Sequence, residues 1–305
     1  MKSFLLSLTA LCSIGACAAG PSAAPQPIER TECALVGIPT ETLTTWRESE
    51  FKDQQTDQGA RDFASCLGHP DPFLRDQLSY EGLTAAMRSG AVSQGTRREL
   101  IAQLSANLGS PDGDGFLAPF SALGLSELVR TDRVEPFLTA AERVNIAANA
   151  ANYIAGVSDY RAFSNQEGWR HGVAHGADVA MQLALNPNVG TESLLELRTA
   201  IAQQITSRAG YAFTHNEPER LARPILFMAM QDKIEADDWT VWFDTLGDPA
   251  PLSDWGAAYQ SETDLARLHN LKSFARVLYI NASLSENEAL KPIADGALEL
   301  LKTLP

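Results

Sequence analysis

The sequence is short of positive charge. Against 38 Asp and Glu it sets 24 Lys and Arg, a formal net charge of −14. That speaks against nucleic acid as a partner, because displacing counterions from phosphates needs basic patches. Period-two runs of β-branched residues are missing, which excludes a substantial sheet. No G-x-S-x-G elbow, P-loop or dinucleotide fingerprint occurs. The apolar run from Phe4 to Leu11 is too short to span a bilayer. Cysteine is scarce, at four residues, and histidine numbers only five. Any site that uses imidazole or thiol therefore draws on a short list.

The first cysteines belong to a leader. Lys2 precedes the apolar run, and Ile14-Gly15-Ala16-Cys17 follows as small residues before a thiol. This pattern is similar to a bacterial lipobox, so residues 1–16 are expected to be a lipoprotein signal peptide and Cys17 the lipidated residue. Ala18, rather than Asp, follows Cys17, which points to the outer membrane over the inner one and to a body facing the periplasm. Residues 17–35 carry Pro, Ala and Ser without periodicity and are expected to be a flexible tether. Cys33 and Cys66 would remain, and an even pair in an oxidising compartment reads as one disulfide.

From residue 36 to 305 a single all-α domain is expected. Leu194, Leu197, Ile201 and Ile205 recur at helical spacing. Thr96 with Glu99, Thr139 with Glu142, and Ser285 with Glu288 each fit a capping box. Breaks such as Gly68-His69-Pro70 and Gly247-Asp248-Pro249 are short, which favours antiparallel neighbours. The expected architecture is a HEAT/armadillo-like helical stack, an α-α superhelix of degenerate repeats. Asp112-Gly113-Asp114-Gly115 lacks the rest of a calcium loop and reads as a turn.

One stretch, Gly168 to Asp178, gathers a Trp, two His, three Gly and an acid. Ser164 with Glu167 reads as the start of its helix and Asn186-Pro187 as its end. At about 100° per residue, His171, His175, Asp178 and Gln182 fall on one polar stripe opposite Trp169 and Val173. Gly168, Gly172 and Gly176 recur every fourth residue, so a backbone or ligand must come close. His171 and His175 form a workable i, i+4 pair for a zinc-type divalent metal. Asp178 stands about 10 Å along the axis from His171, so it is expected to orient His175 rather than to ligate. Further groups would come from His215, Glu217 and Glu219, with Arg220 beside them, at the start of a later helix. A polar helix face with two hydrogen-bonded His remains the plain alternative.

This stretch, Gly-Trp-x-His-x-x-x-His-x-x-Asp, resembles the core of the bacterial domain-of-unknown-function family 2785. Asp71-Pro72-Phe73-Leu74-Arg75-Asp76 with Tyr80, Glu217 to Ala222, and Phe120-Ser121-Ala122-Leu123 are similar to further blocks of that family. The resemblance covers most of the chain after about residue 60. It implies an all-helical, HEAT-like fold and no established activity. Ala118 stands where the family usually has Arg, and Pro218 where it has an acid. Three functions follow: a module binding an envelope ligand or partner through Trp169, His171, His175, Asp178, Glu217, Glu219 and Arg220; a metal-dependent hydrolase using His171 and His175; or a structural envelope protein.

Overall fold

Thr139 shows how the sequence starts its helices. Its hydroxyl accepts from Glu142 N–H and the Glu142 carboxylate accepts from Thr139 N–H, closing a capping box at the head of α6 (Ala140–Gly156). In the computed structural model, which describes residues 32–110 and 113–305, twelve α-helices follow one another among the described residues. The expected signal peptide, most of the tether and Cys17 lie outside the described residues, as does Asp112. The described residues form one body. Folded structure begins before residue 36, since Leu35 is buried. No helix among the described residues is long and apolar enough to cross a membrane.

Two other expected caps are corrected. The cap of α4 (Gln94–Asn107) is Ser93, whose Oγ accepts from Thr96 N–H, while Glu99 pairs with Arg61. Ser285 caps a tight turn, and α12 (Lys291–Thr303) starts later, at Lys291.

After α1 (Thr40–Glu48) and α2 (Asp57–Ser65), a π-helical stretch, Phe73–Tyr80, runs directly into α3 (Glu81–Ser89). The later helices are α5 (Leu117–Val134), α7 (Gly172–Ala184), α8 (Thr191–Ile205), α9 (Glu217–Met230), α10 (Ala236–Gly247) and α11 (Glu262–Ser283). Much of the packing runs between next-but-one neighbours, α5 against α7, α7 against α9, α9 against α11, α6 against α8 and α10 against α12, while α4 packs on α5 and α11 on α12 as sequential neighbours. The stripe Leu194, Leu197, Ile201 and Ile205 of α8 is fully buried, as its spacing required.

Helix α7 is the centre. It also touches α6 and α8, and every residue from Gly172 to Ala180 is buried. Gly176 is what lets α6 approach: a Cβ there would lie 2.9 Å from Ile154 Cγ1 and 3.2 Å from the Tyr153 ring. A polar side chain on α7 must therefore find its partners inside the protein.

Asp132, near the end of α5, is one knot of this interior. Its carboxylate accepts from Phe137 and Leu138 N–H, from Asn186 Nδ2 and twice from Arg143 of α6, at 2.7–3.0 Å. Cys33 and Cys66 are joined by a disulfide. It closes a loop spanning 33 positions, worth about 4 kcal/mol through the unfolded chain's entropy. Replacing both cysteines by serine is expected to lower unfolding free energy in urea by that order. An unchanged midpoint would contradict it.

Candidate functional site

The chain enters α7 through a hairpin, not through a longer helix. Strands β1 (Phe163–Ser164) and β2 (Gly168–Trp169) pair antiparallel, Phe163 opposite Trp169. Ser164 Oγ does accept from Glu167 N–H, at 3.0 Å, but this bond closes a turn. Ser-x-x-Glu serves a turn as readily as a helix cap, because both need an i to i+3 side-chain bond. Gly168 has φ +74°, outside the helical range, and a Cβ there would press on Arg75, Asp76 and Pro72. The helix expected from Ser164 thus starts only at Gly172.

Two buried arginines brace the hairpin. Arg75 of the π-helical stretch is fully buried under Phe116 and Phe120 and donates to the Glu167 carbonyl at 2.7 Å. Arg170 grips the Glu167 carboxylate, donates to the Asp114 carbonyl and lies over the Phe116 ring. Arg75, paired with Asp76, thus ties the hairpin to the body. The brace holds Trp169 at 40% exposure and Phe163 at 49%, their ring centroids 5.0 Å apart.

His171 caps α7 in the left-handed region, φ 55°, a conformation costing a non-glycine residue about 1–2 kcal/mol. Its ring stacks on Trp169 at 4.7 Å and faces His175 edge-on at 5.9 Å. Its Nε2 is buried with no hydrogen-bond partner and lies 3.8 Å from Glu217 Oε1. Burial, aided by the Arg220 charge, pushes the His171 pKa down to about 4. At neutral pH the contact with Glu217 is therefore not an ion pair. His175 is held well below the usual imidazole range by burial, then by His171 and Arg220. Its Nδ1 lies 3.2 Å from the Pro119 carbonyl, and its ring packs edge-on against Phe120. A Nδ1–H donor there leaves the Nε2 lone pair free.

Asp178 does not orient His175. It faces α9 and pairs with Arg220, which donates through both Nε and Nη2. Burial raises the Asp178 pKa, outweighing the guanidinium beside it. Gln182 accepts from Arg133 instead of joining the site. Asn216, also left-handed at φ 65°, begins α9, and Glu217 Oε2 accepts from His215 N–H at 2.8 Å. Glu219 pairs with Arg223 at 2.6 Å.

These groups enclose a cleft of about 330 Å³ lined by Trp169, His171, His175, His215, Arg220 and Arg223, among others. Trp169, the exposed member of the lining, forms its rim. Asp178 lies behind Arg220, and Glu217 is buried beside His171. The metal pair finds no third ligand: among the described residues no three His, Cys, Asp or Glu side chains come together as metal ligands. A larger hollow of about 690 Å³ opens at the far side of the α7 start, beside Tyr153 and Gly172, and is lined by no histidine. Sequence reasoning missed Phe163, Asn216 and Arg223; only the proximity of Arg223 to Glu219, four residues on, signalled the last.

The blocks quoted for the family resemblance meet around α7. Phe120 lies against His175, Arg220 pairs with Asp178, and Arg75 holds the hairpin. The family described as "Protein of unknown function (DUF2785)" matches residues 104–280. The chain belongs to the DUF2785 family. The matched stretch takes in α5 to α11 almost whole, so the DUF2785 region contains the hairpin, the cleft and the Asp132 knot. The block from Asp71 to Tyr80 lies outside it, although Arg75 reaches into the DUF2785 region through Glu167. No curated protein and no solved structure matches the chain.

Proposed function

We propose that this DUF2785 protein is a ligand-binding module of the cell envelope, with its site in the cleft between the hairpin and α9. The observation that carries the reading is His171. It is held in a strained backbone conformation beneath an exposed Trp, and its buried Nε2 has no partner. Strain of this kind persists where the surroundings over-determine it and is concentrated at ligand sites. An orphaned buried nitrogen is satisfied when a ligand supplies the missing bond. The packing of next-but-one helices supports a HEAT-like stack as the frame. The lipobox supports anchoring through Cys17, with the outer membrane favoured by Ala18.

A melting-temperature screen of small polar compounds against wild type and His171→Asn tests the binding reading, since Asn tolerates the left-handed region. Compounds that raise the melting temperature of the wild type are expected to lose most of that effect in the variant. Stabilisation that is equal in both proteins would place the site elsewhere. A second reading, hydrolysis by water activated at His171, rests on the 3.8 Å approach of Glu217 to Nε2. Turnover abolished by Glu217→Gln would favour it.

A further inference from the structure

We infer that the ligand of this cleft is a saccharide, bound along a groove that continues past His215. The inference rests on the binding reading above and adds the chemical class.

A second cleft of about 500 Å³ adjoins the first. It is lined by Tyr160, Phe163, Arg170, Tyr211 and His215, so His215 borders both. Rings surround the junction. Tyr160 stacks on Tyr211 at 5.2 Å, His215 meets Trp169 edge-on at 6.0 Å, and Phe163 lies beside Trp169. Exposed aromatic rings held on a rigid brace are poor folding devices, because their apolar surface remains in water. They suit a ligand with an apolar face and polar edges. A pyranose ring has that form, with C–H bonds on its faces and hydroxyls around its rim.

The polar lining selects among ligands with such faces. Each guanidinium there already has a carboxylate: Arg220 has Asp178, Arg223 has Glu219, and Arg170 has Glu167. Glu217 adds a further acid beside His171. Charge therefore cancels or tips negative, in a protein of net charge −14, and an anionic ligand would meet repulsion. What remains is a mixture of N–H donors on arginine edges and acceptors on imidazole nitrogens and carboxylate oxygens. A neutral hydroxyl, which both donates and accepts, matches that mixture. Two clefts joined at one residue call for a ligand longer than one ring, a linear oligosaccharide.

The test is isothermal titration, with tryptophan emission, of the full chain against neutral tetrasaccharides of N-acetylglucosamine, α-linked glucose and β-linked glucose. At least one series is expected to bind. Trp169→Leu should weaken it tenfold or more and Phe163→Ala several-fold, with melting temperatures close to wild type in both. Binding unchanged in both ring variants would overturn the proposal. So would the absence of binding by every series at millimolar concentration, or capture of a short aromatic peptide in place of any sugar. If the sugars fail while some other compound still depends on His171, only the class falls. If no compound depends on His171, the binding reading falls as well.

Discussion

Replacing Asp132 with alanine is expected to remove about 3–5 kcal/mol of folding free energy, measured by urea denaturation. Burial alone would raise this carboxyl's pKa, yet the Arg143 guanidinium and the Phe137 and Leu138 amides together bring it below the usual carboxylate range. The carboxylate is thus a charge accepted by the interior because five donors surround it. Its removal strands the buried Arg143 guanidinium and the side-chain N–H of the fully buried Asn186, whose oxygen keeps its bond from Asn188 N–H. Adding Arg143→Met to Asp132→Ala should recover part of the loss, since the uncompensated charge goes with it. A single variant that loses less than about 1 kcal/mol would show the knot to be dispensable.

Arg220→Met is expected to be comparably damaging at neutral pH, by about 3–5 kcal/mol, and less damaging in mild acid. Asp178 is buried and its pKa is already raised by that burial, with Arg220 opposing. Without Arg220 the pKa rises further. A carboxyl whose folded pKa is raised contributes stability that is present at low pH and lost as pH rises through that value. The deficit of the variant therefore grows with rising pH above the ordinary carboxylate range and shrinks as Asp178 takes up its proton. The imidazoles act in the same direction. Arg220 depresses the pKa of both His171 and His175, so its loss makes their protonation in acid less costly. Urea midpoints of wild type and variant across pH 5 to about 8 should converge toward acid; a constant difference would rule out Asp178 as the source.

The helical class was legible because apolar spacing is a local property. Leu194 to Ile205 and the Thr139–Glu142 cap both follow from neighbours within two turns. The start of the central helix was misread because Ser164 and Glu167 make the same bond in a turn as in a cap. Gly168, placed between them and Trp169, was the local sign of a left-handed residue. The angular arithmetic that put His171 on the helix failed with it, since His171 is the cap. The partner of Asp178 was beyond reach for a different reason. Arg220 lies 42 positions away, and which helix sits beside α7 is decided by the packing of the whole body. The neighbour of His175 is a backbone carbonyl, that of Pro119, and no side-chain motif can announce it.

The encasement of α7 on every side has a consequence for how the chain matures. Until α9 arrives, Asp178 is the one acid on a mostly apolar rod and has no cation beside it. A nascent or damaged chain that fails to deliver Arg220 therefore carries a fault in its middle, which quality-control proteases can find. Chains that escape them are for that reason the ones in which the imidazole pocket has already been assembled.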